Sequence, residues 1–173
     1  MSWYGLAITN YFNFSGRARR KEFWMFYLFA IIIYIIAMIL DIALGIDYSF
    51  YNGYYEQSLG YGPIYTIVAL FHFIPMYSIT VRRLHDSDRT GWWFFAPVLA
   101  MLSAILIFVM MAGMSFNAGS EVPMYIGGII AIIVYLGAVG VLIASFVFMF
   151  FDGTKGDNRF GPSNKYNAEG ELI

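Results

Sequence analysis

Two long apolar runs of this chain, residues 64–81 and 92–112, meet at the stretch Arg82-Arg83-Leu84-His85-Asp86-Ser87-Asp88-Arg89-Thr90-Gly91-Trp92-Trp93. This stretch gathers three arginines, one histidine and two carboxylates within eight residues. A charged side chain near hydrocarbon costs about 2.5–3.5 kcal/mol unless it is paired or reaches the interface. We therefore expect an ordered connection at a membrane surface, with a membrane-spanning helix on either side of it.

The rest of the chain has the composition of a membrane protein. Of its 173 residues, 60% are hydrophobic and 12% are charged, whereas about a quarter of the residues in ordinary globular domains are charged. Four apolar segments approach or exceed the roughly 20 residues that a membrane-spanning helix needs, and the cost of unpaired backbone groups in hydrocarbon forces them to be helical. They are residues 23–40, 64–81, 92–112 and 124–151. The predicted fold is an all-α membrane protein with a bundle of four transmembrane helices.

Two polar segments flank this predicted transmembrane domain of residues 23–151. Residues 1–22 are expected to carry a short interfacial helix, because Trp3, Ala7 and Phe14 recur at helical spacing. Ser15 is a candidate cap for the helix that follows. Residues 152–173 form a polar tail, and the tyrosines of the first long loop (Tyr48, Tyr51, Tyr54, Tyr55 and Tyr61) are expected to form an aromatic belt.

The distribution of basic residues predicts the orientation in the membrane. All ten lysines and arginines lie before the first span, between the second and third spans, or after the fourth. The loops at residues 41–63 and 113–123 contain none. Because basic residues are retained on the cytoplasmic side, both termini and the Arg82 stretch are expected to be cytoplasmic.

The Arg82 stretch has a plausible local geometry. If the second span continues as a helix, Arg82, His85 or Asp86, and Arg89 share one face, and Arg82 can pair with Asp86. Asp88 or Thr90 can then cap the third span. Arginines beside interfacial tryptophans suit a phosphate, because guanidinium donors match its oxygens; the alternative is an ordinary basic loop with internal ion pairs.

Three motifs in this chain resemble one family. The Arg82–Trp93 stretch, the segment Phe14-Ser15-Gly16-Arg17-Ala18-Arg19-Arg20-Lys21-Glu22-Phe23-Trp24 and the segment Gly156-Asp157-Asn158-Arg159-Phe160-Gly161-Pro162 are similar to motifs of the YhaH-like bacterial inner-membrane proteins, domain of unknown function 805. Pro75 also fits, whereas Asp88 stands where a glycine or small residue is expected. The resemblance implies a four-span inner-membrane protein and brings no activity with it.

All three motifs fall on the predicted cytoplasmic side and can converge on one surface. We expect this surface to bind anionic lipid headgroups or a phosphorylated ligand, while the alternative is that each motif anchors its own helix. Asn158 is expected in a tight turn between two glycines. The candidate residues are Arg17, Arg19, Arg20, Arg82, Arg83, His85, Asp86, Arg89, Trp92, Asn158 and Arg159.

Other chemistries have weaker signals. His72 lies inside the second span, where a transporter or channel component could use it, although a neutral imidazole bonded to a tyrosine or to a carbonyl freed by Pro75 needs no function. A membrane enzyme acting on phospholipid precursors would use His85, Asp86 and Asp88. With two histidines and no cysteine, neither a metal site nor a cofactor is predicted.

The sequence thus favours a non-enzymatic scaffold or binding protein. Its expected partners are anionic membrane lipids or another membrane protein, and not nucleic acid. Two pairs of small residues, Gly127 with Ala131 and Gly140 with Ala144, are suited to close helix packing, either within the chain or between copies of it.

Overall fold

The computed structural model describes residues 2–51 and 56–165, and in these ranges it consists of five helices and one β-hairpin. The helices are α1 (Trp3–Thr9), α2 (Arg20–Ala43), α3 (Pro63–Asp86), α4 (Trp92–Ala118) and α5 (Val122–Phe148), and the antiparallel strands are β1 (Ser49–Tyr51) and β2 (Glu56–Ser58). Helices α2 to α5 are each long and apolar enough to cross a membrane. The predicted fold of four transmembrane helices with a short N-terminal helix is confirmed.

The helix ends differ from the predicted ones for identifiable reasons. Helix α3 continues through the first half of the arginine stretch to Asp86, and α4 continues to Ala118. The loop predicted at residues 113–123 is therefore only a turn, in which Gly119 ends α4 with a positive φ of 62°. Helix α5 ends at Phe148 rather than at residue 151, because the carbonyls of Met149 and Phe151 accept hydrogen bonds from Arg83 instead.

The connection between α2 and α3 contains the hairpin, which was not predicted. Of the tyrosines assigned to an aromatic belt there, Tyr48 and Tyr61 lie with their ring centroids 5.8 Å apart. The side chain of Tyr51, together with Tyr54 and Tyr55, lies outside the described residues, as does the predicted tail beyond residue 165.

Asp41, near the end of α2, determines where α3 begins. Its fully buried carboxylate accepts hydrogen bonds from the backbone amides of Gly62 (2.8 Å), Ile64 (3.0 Å) and Tyr65 (2.8 Å). The first amides of a helix have no partner within the helix, so the carboxylate supplies one from the preceding span. Asp41 is thus a capping residue of α3.

The N-terminal segment packs along α2 and α3. Ala7 of α1 is fully buried, and the ring of Tyr4 stacks on that of Phe26 with centroids 5.6 Å apart. Further along, the hydroxyl of Ser78 donates to the carbonyl oxygens of Asn10 and Asn13 at 2.9 and 2.6 Å. The predicted cap at Ser15 is wrong: α2 begins after Arg19, without a side-chain cap.

Helices α4 and α5 form a hairpin through close backbone approach. A Cβ atom at Gly127 would lie 2.6 Å from the Cγ of Met111, so no larger residue fits there without movement. A Cβ atom at Gly140 would meet nothing within 4 Å. Gly127 therefore serves packing within the chain, whereas the face around Gly140 is open.

Three chain segments, residues 15–22, 82–93 and 149–165, meet at one end of the helices, which we call the motif end. The backbone amide of Ala18 donates to the carbonyl of Arg82 (3.0 Å), and that of Thr154 donates to the carbonyl of Asp86 (2.8 Å). A buried apolar cluster that includes Ala18, Leu84 and Met149 lies here. All three motifs noted in the sequence belong to this end.

Candidate functional site

The carboxylate of Asp86 lies at the centre of the motif end between two arginines. Arg17 donates through Nε at 2.9 Å, and Arg83 donates from the neighbouring turn of α3. Gly153 packs directly against this carboxylate, leaving no room for a Cβ atom. The predicted pairing of Arg82 with Asp86 is wrong, because the buried guanidinium groups of Arg17 and Arg83 bind both carboxylate oxygens of Asp86.

Arg17 and Arg83 also hold the C-terminal segment. Arg17 donates to the carbonyls of Thr154 and Gly156, both at 2.7 Å, and Arg83 donates to those of Met149 and Phe151. Both arginines are almost completely buried, with the side chain of Arg83 at 0% exposure. Their donors are therefore used to join distant segments of the chain.

The C-terminal motif caps α3. The side-chain amide of Asn158 donates to the carbonyl of His85 at 2.9 Å, which satisfies one of the last carbonyls of the helix. Asn158 and Gly161 exchange backbone hydrogen bonds of 3.2 and 3.0 Å, which is the tight turn that the sequence predicts. The amide of Asn158 thus serves the fold.

Asp88 occupies a position with unusual backbone geometry. Its φ is +56°, a left-handed conformation that glycine adopts freely and that Asp tolerates better than most residues. The resemblance to the family leads to the expectation of a small residue here, and this geometry explains why. The prediction that Asp88 or Thr90 caps α4 is wrong, because Gly91 precedes α4 without a side-chain cap. The carboxylate and the carbonyl of Asp88 instead accept hydrogen bonds from Arg159 at 3.1 and 2.8 Å.

Two further polar side chains of the stretch, those of His85 and Arg89, pack on aromatic rings. The ring of His85 stacks on Phe160 with centroids 3.8 Å apart, and its Nδ1 lies 3.1 Å from the carbonyl oxygen of Gly16. The guanidinium of Arg89 lies 3.6 Å from the ring centroid of Phe148, an attractive cation–π geometry. Trp92 is 65% exposed, as an interfacial anchor would be.

His72 is remote from the motif end and has local partners. Its Nε2 lies 2.9 Å from the hydroxyl of Tyr4, and its Nδ1 lies 2.8 Å from the carbonyl oxygen of Val68. The tyrosine partner agrees with the sequence-based interpretation, but the carbonyl is a different one. The carbonyl freed by Pro75 is that of Phe71, and it accepts from the hydroxyl of Tyr11 at 2.6 Å.

A cleft of about 660 Å³ opens beside the start of α2. It is lined by Trp3, Arg19, Arg20, Lys21, Trp24, Met25, Asp86, Asp152, Gly153 and Lys165. Arg20 and Lys21 are exposed, and Arg20 pairs with Asp152 at 3.3 Å. Hydrogen bonds from Lys165 and Arg20 hold the pKa of Asp152 below its ordinary value.

Three of the candidate residues, Arg19, Arg20 and Asp86, line this cleft. Asp86 is also bonded within the fold, and so are Arg17, Arg82, Arg83, His85, Arg89, Asn158 and Arg159, whereas Trp92 is exposed. Sequence reasoning missed the cleft residues Trp3, Lys21, Trp24, Asp152 and Lys165, and it missed Glu22, the partner of Arg82 at 2.9 Å. Lys21, Glu22 and Trp24 belong to the N-terminal motif, so that motif was the available signal.

Comparison with known proteins places the chain among small membrane proteins. It is 33% identical over 165 residues to the inner membrane protein YhaH of Escherichia coli K12, covering 95% of this chain and 98% of YhaH. It is 36% identical over 111 residues to the inner membrane protein YhaI of the same strain, covering 62% of this chain and 83% of YhaI. The uncharacterized protein YiiR is 26% identical over 164 residues, covering 91% of this chain and 92% of YiiR. No solved structure matches the chain.

The names of these relatives and the four apolar helices support a multi-pass inner-membrane protein. Residues 11–162 match the family described as protein of unknown function DUF805. This range contains all three motifs and helices α2 to α5. The chain belongs to the DUF805 family.

Proposed function

We propose that this protein is a non-enzymatic binding protein of the inner membrane, which holds the headgroup of an anionic lipid in the cleft beside the start of α2. The observation that carries the proposal is the composition of that cleft. Four cationic side chains (Arg19, Arg20, Lys21 and Lys165) line it, against two carboxylates. The cleft therefore has an excess of positive charge that suits an anion.

At the cleft, Arg20 is exposed to solvent, whereas Arg17 and Arg83 are buried. The side chains of Arg20 and Asp152 are 45% and 49% exposed, and exposed ion pairs contribute only about 0–1 kcal/mol. A phosphate can therefore compete for Arg20 at little cost. Arg17 and Arg83 cannot be recruited in this way without giving up the bonds that join the three segments.

A lipid suits the cleft better than a soluble anion because its walls are also apolar and aromatic. Trp3, Trp24 and Met25 line it together with the cations. Tryptophan is enriched at the level of lipid headgroups, and α2 continues from here into the membrane. A headgroup in the cleft would leave the acyl chains beside the apolar surface of α2.

The motif end faces the cytoplasm in this proposal. It contains the chain's basic residues, which are retained on the cytoplasmic side of membrane proteins. Each basic residue near an anionic leaflet contributes on the order of 1 kcal/mol of attraction.

Cysteine labelling tests this orientation, because the chain itself has no cysteine. The single variants Lys155→Cys and Glu121→Cys are treated in spheroplasts with a membrane-impermeant maleimide. Labelling of Glu121→Cys alone is expected, and the reverse pattern contradicts the orientation.

The contacts of the acidic and histidine side chains support a non-catalytic role. Both oxygens of Asp86 are bound by arginines, and Asp88 is paired with Arg159. His85 is stacked on Phe160. A hydrolytic or metal-dependent reaction would require these groups to leave their partners.

Native mass spectrometry from nanodiscs of equal phosphatidylglycerol and phosphatidylcholine tests the proposal. The wild type is expected to retain phosphatidylglycerol preferentially, and Arg20→Gln/Lys21→Gln to lose this preference about tenfold or more. The matched control is Lys155→Gln/Arg159→Gln, which also removes one lysine and one ion-paired arginine outside the cleft. Equal loss in both variants, or no preference in the wild type, contradicts the proposal.

A further inference from the structure

A second cleft, of about 700 Å³, lies on the other side of Arg19 and Trp3, the two lining residues that it shares with the first. Most of its lining residues are of polar types. They include the side chains of Asn10, Asn13, Ser15, Arg17, Glu22 and Arg82. Arg20 and Lys21 do not line it, so the two clefts can be tested separately.

Arg82 differs from its buried neighbours in how its donors are used. Arg17 and Arg83 each have partners at Nε, Nη1 and Nη2. Arg82 is also buried, at 4% exposure, and its Nη1 donates to Glu22 at 2.9 Å. Its Nε and Nη2 have no hydrogen-bond partner among the described residues. A buried polar group without a partner is costly, and more so when it is charged.

The charges of the buried arginines and carboxylates also favour an anion beside Arg82. Three buried arginines, Arg17, Arg82 and Arg83, face two buried carboxylates, Glu22 and Asp86. Among the described residues, one positive charge is therefore left without a buried counter-ion. Asp86 is shared by two of the arginines, and Glu22 pairs with the third.

Arg82 lines this second cleft, and its Nε and Nη2 atoms are covered in this structure. We propose that a rotation of the side chain turns these two donors toward the cleft, where they bind a phosphate group. These two N–H groups lie on one edge of the planar guanidinium and are parallel, a geometry that matches two oxygens of one phosphate. The phosphate supplies the missing counter-charge and the missing acceptors together. The amide and hydroxyl groups of Asn13 and Ser15 at the cleft wall provide further polar contacts.

Thermal unfolding of the purified protein, stripped of lipid and in phosphate-free detergent buffer, tests this site. Inorganic phosphate is titrated against sodium chloride of matched ionic strength, and short-chain phosphatidylglycerol is titrated in parallel against phosphatidylcholine. We expect a saturable rise in Tm with at least one phosphate probe. In the Arg20→Gln/Lys21→Gln background, which lacks two cations of the first cleft, a rise with inorganic phosphate identifies a free phosphate group as sufficient, whereas a rise with phosphatidylglycerol alone identifies a lipid phosphate as the ligand.

The diagnostic variant is Arg82→Lys, which keeps the positive charge beside Glu22 but lacks the two-donor edge. To exclude binding at the first cleft, Arg82→Lys is compared with its parent in the Arg20→Gln/Lys21→Gln background, where we expect it to weaken phosphate binding at least tenfold. Binding by Arg82→Lys equal to that of its parent, or no saturable response to either probe in the wild type, overturns the proposal.

A second variant keeps the test valid if Arg82→Lys does not fold. Asn13→Asp places a negative charge at the exposed wall of the cleft without changing Arg82, and is expected to reduce phosphate affinity severalfold. Asn117→Asp makes the same change at an exposed, remote position of α4 and should have no effect. Equal affinities in these two variants contradict a site at Arg82.

Discussion

The motif end and the α4–α5 hairpin are held together by different interactions. At the motif end the side chains of Arg17, Arg83 and Asp86 are 1%, 0% and 11% exposed, and they bond across three chain segments. On α5 large apolar side chains such as Ile132 remain 59% exposed. Because lipid tails are as apolar as leucine, apolar contacts alone give little drive for helices to associate in a membrane. The polar contacts of the motif end therefore determine how distant segments are arranged.

The largest expected effect comes from removing one of the buried arginines. Arg83→Met leaves Asp86 with a single cation and three backbone carbonyls without their donor. Breaking a buried pair on one side costs about 3–5 kcal/mol. Unfolding in mixed micelles should show a loss of this size, against about 0.5 kcal/mol or less for Ile132→Ala. Comparable losses would remove the distinction between the two regions.

The stability of the α4–α5 hairpin depends on close packing between its two helices. Gly127→Val forces a branched side chain against Met111, and overpacking of this kind costs about 1–3 kcal/mol. Gly140→Val, one of the open positions of the same helix, is the matched control and should change the free energy of unfolding little. If both variants are destabilised alike, the face around Gly140 is also packed, for example against a second copy.

The capping carboxylate of Asp41 tests whether polar contacts also matter at the opposite end. Asp41→Ala leaves the amides of Gly62, Ile64 and Tyr65 without their acceptor, and loss of a helix cap costs about 0.5–2 kcal/mol. Glu121→Ala removes an exposed carboxylate at the same end and should be nearly neutral. The same unfolding titration separates the two, and an unaffected Asp41→Ala would contradict the capping role.

The smallest effect is expected at Asp88. Asp88→Gly relieves the left-handed backbone and loses only an exposed pair with Arg159, worth about 0–1 kcal/mol, so the free energy of unfolding should hardly change. Asp88→Val has the same loss of charge but must adopt a conformation that costs an L-residue about 1–2 kcal/mol. A Val variant as stable as the Gly variant would show that this backbone conformation is not required.

The number of spans was predictable from the sequence because it depends only on long apolar runs and on the need to satisfy the backbone in lipid. The helix ends were not, since they depend on partners that are distant in the chain. Asp41 caps α3, which begins 22 residues further along the chain at Pro63. Arg83 donates hydrogen bonds to the carbonyls of Met149 and Phe151, directly after the end of α5. Neither contact has a local signature.

The candidate site was predictable as a surface but not residue by residue. Local spacing favours a pair of Arg82 with Asp86, yet the acceptors come from elsewhere: Glu22 for Arg82, and Asp86 for Arg17, which is 69 residues away. The motifs identify which segments meet, but charge alone does not distinguish a buried arginine from an exposed one. That distinction separates Arg17 and Arg83, which join segments of the fold, from Arg20, which is proposed to bind a lipid headgroup.

The most direct measurement compares two arginines of the same motif, Arg17 and Arg20. Arg17→Gln and Arg20→Gln each remove one charge. The side chain of Arg17 is buried and bonded to the two other segments of the motif end, whereas that of Arg20 is 45% exposed. In mixed-micelle unfolding we expect Arg17→Gln to lose about 3–5 kcal/mol and Arg20→Gln less than about 1 kcal/mol. Equal losses would contradict the division of the motif end into a buried polar core and an exposed binding surface.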